Sequence, residues 1–304
     1  MKINILLSTY NGEKYLAELL DSLLEMQLIQ YVTLVIRDDN SLDDTEGIIE
    51  LYKDKFKIVF IKGKNVGPKE SFHELIMESP EADYYAFCDQ DDIWKSDKLK
   101  IAIEKIQKIE EKKNNTPILY FGNVEMIDAD GNLLHKNRDL NVPKTQIEQL
   151  FVANPALGCT MIYNNSLHEL LKKISFESFF MHDVVTILLA RSYGEIIYDK
   201  NPCMYYREHI NSVTQGVDFR KNIKNKIDFW FIQRQINIAS EAKELLKISL
   251  KTKGMPIEIK MVLEEISGYK KGLSRFKIAF SKKYRVDSFK CNRSFIIRML
   301  LGLA

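Results

Sequence analysis

The sequence lacks the features that mark membrane-spanning, secreted and zinc-binding proteins. No apolar run approaches the roughly 20 residues that a membrane-spanning helix needs. The apolar run that ends before Ser8 is too short for a signal peptide. The four cysteines, Cys88, Cys159, Cys203 and Cys291, include no C-x-x-C pair, which argues against a zinc site or a disulfide framework. We therefore expect reduced thiols in a cytoplasmic protein.

Charge is distributed unevenly along the chain. The 304 residues are 45% hydrophobic and 28% charged, as in globular proteins, which excludes disordered and collagen-like classes. The net charge of +2 conceals an asymmetry: residues 217–304 contain 20 Lys and Arg against 8 Asp and Glu, or +12, which leaves −10 for residues 1–216. A basic segment of this kind binds nucleic acid or anionic lipid, or is simply exposed to water.

The first third of the chain alternates short β-rich runs with amphipathic stretches. The runs INILLS, VTLVIRD, KIVFIK and YYAFCD each precede a predicted helix, near Glu13–Met26, Asp43–Lys55, Pro68–Glu78 and Ser96–Lys113. Four β-α units predict an α/β fold with a parallel sheet and helices on both faces. The run PILYFGNVEMID, followed by the turn Asp128–Asn132, favours a hairpin or an edge strand.

The remaining segments predict less regular structure and then helices. We expect, in order, a helix near Thr145–Phe151, a strand near Leu157–Tyr163, helices near Ser166–Ile174 and from His182, and short strands at EIIYD and CMYYREH. From Asp218 the pattern turns helical to about Leu250, breaks at Gly254–Pro256 and resumes to about Tyr269.

Polar stretches follow all four early strands. They are STYNG (8–12), RDDNSLDDT (37–45), KNVGPKESF (64–72) and CDQDD (88–92). In an open parallel sheet, ligands bind beyond the carboxyl ends of the strands. Neither G-x-G-x-x-G nor G-x-x-x-x-G-K-[ST] is present, so the ligand is held by a scheme other than a Rossmann or P-loop site.

Three carboxylates, Asp89, Asp91 and Asp92, crowd into four positions directly after the fourth apolar run. Like charges repel and raise one another's pKa, so a bound cation would favour the arrangement. Carboxylate oxygens suit Mg²⁺ or Mn²⁺, with water and phosphate completing the shell. The alternative is a solvated loop whose acids cap the next helix. These residues alone leave both interpretations open.

Together the motifs STYNG, DDNSLDDT, NVGPKESF and CDQDDIWKSDKL resemble those of the family 2 glycosyltransferases. The resemblance implies an inverting enzyme with the type A fold, a Rossmann-like, mostly parallel sheet flanked by helices. The stretches NPALGCTMIYN, MHDVVTILLA and YREHINSVTQG resemble the rhamnosyltransferase-like branch of bacterial surface-polysaccharide enzymes. The resemblance covers residues 1–216, which we assign to the catalytic domain, and leaves 217–304 as a basic helical region.

The resemblance places Thr9, Tyr10, Asn11 and Glu13 along the nucleoside of the donor. It also implies that Asp39 accepts the imide N–H of uracil or thymine. An ionised carboxylate only accepts hydrogen bonds, so it favours those bases over cytosine, whose N3 carries no hydrogen.

Two residues near the nucleoside motifs have open alternatives. The alternative for Asp39 is that the acids of this loop only shape the turn and cap the helix. Lys69 would face phosphate or sugar, or would simply be a surface lysine at a helix start.

The element Asp89-Gln90-Asp91 resembles the D-x-D motif that holds the donor diphosphate through a divalent cation, Mn²⁺ or Mg²⁺. Asp91 is then a direct metal ligand, and Asp89 contacts ribose or the metal. On the same basis Asp92 contacts donor or acceptor sugar, and we place it on the acceptor side. Trp94 stacks on a sugar or packs under the loop, and its size favours packing.

Inversion by a single displacement needs a general base, and the resemblance assigns that role to Asp183, with His182 beside it on the acceptor side. Asp183 also opens an apolar helix, so it could equally be a cap. His209 would ligate the metal, Arg207 would add positive charge near the diphosphate, and Gly158 and Cys159 would line the sugar pocket.

The basic tail mixes Lys and Arg with Phe, Ile, Leu and Met, a composition typical of a helix lying on an anionic membrane. The alternative is a stripe that packs on the catalytic domain or on a second subunit of a homodimer. We expect no nucleic-acid partner, because no known module presents these charges.

The expected protein is a metal-dependent transferase of the cytoplasm, which would lie at the inner face of the cell membrane if the basic tail binds lipid. The preferred donor is dTDP-L-rhamnose, and the acceptor is a lipid-linked or growing saccharide. The alternatives are a UDP-sugar donor carrying galactose, glucose or an N-acetylhexosamine, and a non-catalytic nucleotide-sugar-binding protein.

Overall fold

The structure is a computed structural model, and it describes residues 1–134, 142–208, 237–269 and 273–302. The chain forms two compact units by packing. The first comprises Met1–Val142, Ala156–Lys172 and Glu195–His209, and the second comprises Pro143–Pro155, Lys173–Gly194 and Ile210–Ala304. The functional division after residue 216 was drawn on motifs and charge, and it stays a prediction.

The first unit is built on an eight-stranded sheet. Its strands are β1 (Ile3–Thr9), β2 (Val32–Asp38), β3 (Lys57–Lys62), β4 (Tyr84–Asp89), β5 (Ile93–Trp94), β6 (Ile118–Ile127), β7 (Met161–Asn164) and β8 (Glu195–Arg207). The strand order is β3-β2-β1-β4-β7-β6-β8-β5. Neighbours are parallel from β3 to β4 and between β6 and β8, and antiparallel where β7 and β5 pair.

The helices that the structure describes are α1 (Leu16–Leu24), α2 (Thr45–Leu51), α3 (Pro68–Glu78), α4 (Lys98–Glu110), α5 (Ile147–Leu150), α6 (Asn165–Leu171), α7 (His182–Tyr193), α8 (Ile238–Lys251), α9 (Ile257–Ser267), α10 (Ser274–Phe280) and α11 (Phe289–Leu301). Helices α1 to α4 and α6 belong to the first unit, and the others belong to the second. No helix in the described ranges is long and apolar enough to cross a membrane.

Burial explains why the early strands are so uniformly apolar. Ile5, Leu6 and Leu7 of β1 are fully buried, although successive strand residues point to opposite faces. Both faces of the sheet are therefore covered, as parallel β-α units require. Polar side chains are left to the strand ends, which is where the candidate site lies.

The edge position expected for one strand and the separation expected between two others were wrong. PILYFGNVEMID forms the interior strand β6 and not an edge strand, since β7 and β8 flank it. Residues Ile118 to Phe121 are buried on both faces, as an interior position demands. The turn Asp128–Asn132 does form, with a single bridge between Ile127 and Leu133. EIIYD and CMYYREH were expected as two strands, but β8 is one strand with register shifts opposite Gly122 and Asn123.

Candidate active site

The carboxyl ends of β1, β2 and β4 bring three of the polar stretches together. In the register of the parallel pairs, Ser8 lies opposite Asp89 and Thr9 lies opposite Asp38. The loops after these strands therefore begin side by side. This is the sheet edge at which open α/β folds bind ligands.

A side-chain amide joins the loop after β1 to the acidic turn after β4. Gln90 Oε1 accepts a hydrogen bond from the Tyr10 backbone N–H at 2.8 Å, and Gln90 Nε2 donates to the Tyr10 carbonyl at 2.9 Å. A Cβ on Gly12 would lie 2.4 Å from Gln90 Oε1, so a larger residue there would displace the amide from Tyr10. Gln90 therefore positions the two loops against each other.

The loop after β1 is also fastened to the loop after β2. Asn11, whose φ of 48° is left-handed, donates its N–H to Ser41 Oγ at 2.9 Å, and its Oδ1 accepts from Leu42 N at 2.9 Å. Glu13 Oε2 accepts from the Asp44 N–H at 3.1 Å. Short polar side chains such as Asn tolerate this left-handed backbone because they bond locally.

The structure therefore places the predicted nucleoside residues in one small region. Thr9 is buried and donates its hydroxyl to Asp38 Oδ1 at 3.0 Å, whereas Tyr10 leaves 43% of its surface exposed. Tyr10 thus offers an accessible aromatic ring at this end of the sheet. Contact with a nucleoside stays a prediction for all four residues.

Asp39 is held by an arginine that sequence reasoning missed. Its Oδ1 lies 2.6 Å from Arg37 Nη1 and accepts from Val66 N at 2.9 Å, while Oδ2 accepts from Gly67 N at 2.8 Å. Both charged side chains are almost fully buried. A carboxylate has about four acceptor positions. Described residues occupy three of them, which leaves one on Oδ2, and the contact of Asp39 with a base N–H stays a prediction.

The Arg37 guanidinium also binds Glu74 Oε2 at 2.6 Å and the Lys64 carbonyl at 3.1 Å. Burial lowers the pKa of Arg37, but the carboxylates of Asp39 and Glu74 outweigh it and leave that pKa raised. The signal for this residue was an arginine inside the apolar run VTLVIRD. Lys69, by comparison, lies half-buried at the start of α3 with its Nζ 3.3 Å from Glu70 Oε1.

Of the three clustered acids, Asp92 is the most deeply buried. Its Oδ1 accepts the Arg207 backbone N–H at 3.1 Å, and its Oδ2 is buried without a hydrogen-bond partner among the described residues. Burial, followed by the negative charges of Asp91 and Asp89, holds the pKa of Asp92 well above its usual range. Such a buried carboxylate is stabilised in its charged form when a cation binds it.

The cluster fits a divalent cation. Asp89, Asp92 and Cys159 each offer one ligand atom, and these atoms lie within 4.8 Å of one another. Burial, followed by the negative charges of Asp92 and Asp89, raises the pKa of the Cys159 thiol well above its usual value, and Mg²⁺ and Mn²⁺ prefer oxygen ligands to sulfur. The carboxylate oxygens match Mg²⁺ or Mn²⁺. Asp91 is partly exposed beside them.

Sequence reasoning assigned the metal to Asp89, Asp91 and His209 and placed Asp92 against sugar. The structure groups Asp92 with Asp89 as candidate ligands. The burial of Asp92, which brings about this grouping, could not be predicted from the sequence. His209 lies outside the described residues. The metal roles of Asp91 and His209 therefore stay predictions.

A buried lysine beneath the acidic turn was also missed. Lys98 is fully buried, and its Nζ donates to the Cys159 carbonyl at 2.6 Å and lies 3.2 Å from the centroid of the Trp94 ring. Burial lowers the pKa of Lys98, while the nearby thiols and Asp92 oppose that shift. Trp94 is 3% exposed, as its packing alternative expects.

The carbonyl that Lys98 binds belongs to a 3₁₀ turn, Gly158–Thr160, next to β7. Gly158 is half-buried and Cys159 is fully buried. The Thr160 hydroxyl donates to the Leu157 carbonyl at 2.8 Å, which closes the turn. The turn thus lies beside the acids, and its predicted contact with sugar stays a prediction.

Arg207 supports the acidic turn from β8. Its Nε donates to the Asp91 carbonyl at 2.9 Å, its Nη2 pairs with Glu18 Oε2 at 2.5 Å, and its guanidinium lies 4.6 Å from the centroid of the Tyr15 ring. The side chain is 2% exposed. These contacts show a positioning role, and contact with the diphosphate stays a prediction.

In the second unit, α7 begins at His182 as expected. Asp183 is in the first turn of α7, and its Oδ1 accepts the Val184 backbone N–H at 2.7 Å. His182 is buried, which lowers its pKa to about 3 and keeps the ring neutral. A carboxylate at a helix start is favoured electrostatically. Met181 is the N-cap residue of α7 and makes no side-chain capping hydrogen bond, so Asp183 is a first-turn acid and not the cap, and its role as general base stays a prediction.

The sheet, its flanking helices and the polar strand ends together define a class of protein. A mixed sheet in this arrangement is the type A glycosyltransferase fold, with helices following at the carboxyl end of the chain. Residues 4–169 match the model of the family described as "Glycosyl transferase family 2". The chain belongs to this family and is a glycosyltransferase.

Three relatives illustrate the similarity. The chain is 32% identical over 235 residues to the "dTDP-rhamnosyl transferase RfbG" of Shigella flexneri, which covers 72% of this chain and 77% of that protein. It resembles a crystal structure of S. aureus TarS 1-349 in complex with UDP-GlcNAc, with a TM-score of 0.60, 18% identity, and coverage of 100% of this chain and 80% of that one. The mannosyltransferase PcManGT from Pyrobaculum calidifontis, solved with GDP-Man and Mn²⁺, gives a TM-score of 0.55 at 13% identity, covering 99% and 86%.

Proposed function

We propose that this glycosyltransferase uses a divalent cation to move a sugar, by preference L-rhamnose from dTDP-L-rhamnose, onto a growing cell-surface polysaccharide with inversion. The observation that carries the proposal is the acidic turn after β4. There the buried Asp92 has an oxygen without a hydrogen-bond partner among the described residues, and Asp89 and Asp91 lie beside it.

Asp89, Asp91 and Asp92 would hold Mn²⁺ or Mg²⁺ in this proposal. When bound, the cation neutralises negative charge that develops on the leaving diphosphate as the bond to the anomeric carbon breaks. A structure of the same fold was solved with Mn²⁺, which supports the use of a divalent cation. Gln90 and Arg207 keep the acids in place through their backbone contacts.

The donor base would be read by Asp39. The remaining acceptor position on its Oδ2 suits the imide N–H that uracil and thymine share. The Shigella relative favours dTDP-L-rhamnose. A second candidate, a UDP-N-acetylhexosamine, is favoured by the structural relative solved with UDP-GlcNAc. Both donors satisfy the same carboxylate, so Asp39 does not separate them.

Asp183 would take the proton from the acceptor hydroxyl as that hydroxyl attacks the anomeric carbon. A general base of this kind contributes typically 10²- to 10⁴-fold in rate. The acceptor would be a lipid-linked or growing saccharide, and the enzyme would act on the cytoplasmic side of the cell membrane.

The proposal is tested by release of nucleoside diphosphate from a panel of UDP- and dTDP-sugars, with bacterial lipid-linked saccharides as acceptors and with Mn²⁺ or EDTA. Release from one donor should need metal and acceptor. It should be lost in Asp92→Asn and Asp91→Ala, and it should fall by about 10²- to 10⁴-fold in Asp183→Asn. Asp130→Ala, at an exposed acid of the turn after β6, is the matched control and should keep full activity.

The panel also separates the alternatives. Donor hydrolysis that ignores the acceptor would identify a phosphohydrolase, and donor binding without turnover would identify a non-catalytic nucleotide-sugar-binding protein. Full activity in EDTA would contradict the cation. Wild-type activity in Asp183→Asn would contradict the general base and leave Asp183 only a favourable charge at the start of α7.

A further inference from the structure

Helix α10 is apolar on two opposite faces. Ile278 and Ala279 are fully buried and account for its packing within the second unit. On the other side Leu273, Phe276 and Phe280 are 79%, 38% and 63% exposed. Their spacing of three and then four residues places them on one stripe of the helix. This outward stripe is not explained by packing inside the second unit.

Basic side chains surround the outward stripe. Lys277 lies between the two phenylalanines in sequence, and the exposed Lys282 and Lys283 follow the helix in a 3₁₀ turn whose Tyr284 is buried. Lys277 lies 3.2 Å from Glu265, but the pair is exposed and so contributes little. Residues 273–302 contain eight Lys and Arg against a single Asp, a net charge of +7.

We propose that this basic aromatic surface, formed by Leu273, Phe276, Lys277, Phe280, Lys282 and Lys283, docks on an anionic lipid bilayer. Apolar and aromatic side chains enter the boundary between headgroups and acyl chains, and lysines beside them are attracted to anionic headgroups. The inference concerns a surface outside the candidate active site, so it goes beyond the proposed function.

Charge favours a bilayer over a second copy of the chain. A symmetric dimer joins the same patch of both subunits, so each lysine would face a patch that carries the same lysines. Like charges brought together in this way repel one another. An anionic bilayer supplies the opposite charge over the whole surface, and its acyl region accommodates Phe280 and Leu273 without needing a matching shape.

The test is flotation of the full-length protein with vesicles of phosphatidylcholine alone and of phosphatidylcholine mixed with phosphatidylglycerol. Binding is expected to the mixed vesicles only, and it should weaken as salt is raised. The double variant Lys282→Ala with Lys283→Ala should lower the partition coefficient by about 30-fold, since each lysine near an anionic surface contributes about fivefold. Leu273→Ser with Phe280→Ser should lower it by roughly tenfold or more.

Matched controls come from the first unit, where Leu51, Lys100 and Lys112 are likewise exposed. Leu51→Ser and the pair Lys100→Ala with Lys112→Ala should bind vesicles as the wild type does. All variants are compared at equal helix content by circular dichroism. Equal binding to both vesicle types, or unchanged binding in both tail variants, overturns the proposal.

A different result also overturns the bilayer proposal. If light scattering shows a dimer that dissociates in Leu273→Ser with Phe280→Ser, while vesicles are not bound, the surface is an interface between copies. Vesicle binding requires no sugar donor, so its failure leaves the transferase proposal standing. In the same way, an inactive protein that still floats with anionic vesicles leaves the docking proposal standing.

Discussion

The buried ammonium of Lys98 donates a hydrogen bond to the carbonyl oxygen of Cys159 at 2.6 Å. This contact ties helix α4, which follows the acidic turn, to the 3₁₀ turn before β7. It also satisfies a carbonyl of a fully buried residue. One lysine therefore fixes two segments that flank the candidate ligands.

Replacing Lys98 with methionine should lower the free energy of unfolding by about 1–3 kcal/mol. The substitution keeps the length of the side chain but leaves the Cys159 carbonyl buried and unsatisfied. Lys100→Met, at an exposed position on the same helix, should change it by less than about 0.5 kcal/mol. Urea denaturation measures both values, and equal effects would contradict the buried contact.

Replacing Arg37 with methionine should lower the free energy of unfolding by about 3–5 kcal/mol, because Asp39 would keep a buried charge without its partner. Arg37→Lys should recover only part of this loss, since an ammonium does not reproduce the contacts of the guanidinium with Asp39, Glu74 and the Lys64 carbonyl.

The matched control for Arg37 is Lys62→Met, which removes the exposed pair with Glu46. It should cost less than about 1 kcal/mol. Chemical denaturation of the three variants in one buffer compares them directly. If Arg37→Met lowers the free energy of unfolding by no more than Lys62→Met does, the buried pair stabilises the fold no more than an exposed pair.

Replacing Asp39 with asparagine should weaken discrimination between bases. The asparagine amide can donate to cytosine N3, which the carboxylate cannot do. The ratio of kcat/KM for a UDP-sugar to that for the CDP-sugar should fall by roughly tenfold or more, since one hydrogen bond to a charged group contributes about 1.5–3 kcal/mol. Steady-state kinetics with both donors measure the ratio, and an unchanged ratio would remove Asp39 from base recognition.

The second unit should lose stability as the pH rises through the neutral range. Burial raises the pKa of Glu241 from its ordinary 4.5 to about 8, while the charge of Arg298 opposes the shift. The folded protein therefore holds this proton more tightly than the unfolded chain. The stabilisation is complete below about pH 4.5 and is lost as the pH approaches 8, at no more than about 1.4 kcal/mol per pH unit.

Thermal unfolding followed between pH 5 and pH 8 tests this dependence. Glu241→Gln mimics the protonated side chain and should flatten the decline relative to the wild type. Glu258→Gln, at an exposed position of α9, should leave the decline unchanged. If wild type and Glu241→Gln decline in parallel, another group is responsible.

The sequence predicted those helices and strands whose position is determined by their own residues. The first four strands and α3, whose bounds Pro68–Glu78 were predicted correctly, have strong periodicity and clear helix starts. The interior position of β6 was not predictable from its own residues, because it depends on pairing with β7 and β8, whose paired residues lie about 40 and about 80 positions further along the chain.

The candidate site shows the same division. A run of acids after an apolar strand indicated the position of the cation site, and the family motifs indicated its use. Lys98 and Arg37 were missed because charged side chains are almost always expected in solvent, and only the tertiary fold shows what pairs with them. Asp92 is buried and Asp91 is not, and this difference likewise depends on β8, whose Arg207 N–H contacts Asp92.

The amide of Gln90 gives one further consequence. The Gln90 side chain binds both backbone groups of Tyr10. The loop expected to meet the nucleoside and the turn expected to hold the cation are therefore restrained by the same pair of hydrogen bonds. Whichever ligand arrives first restrains both segments, so less conformational entropy remains to be lost when the other arrives. The two affinities should then rise together and by the same factor, whichever ligand is titrated first.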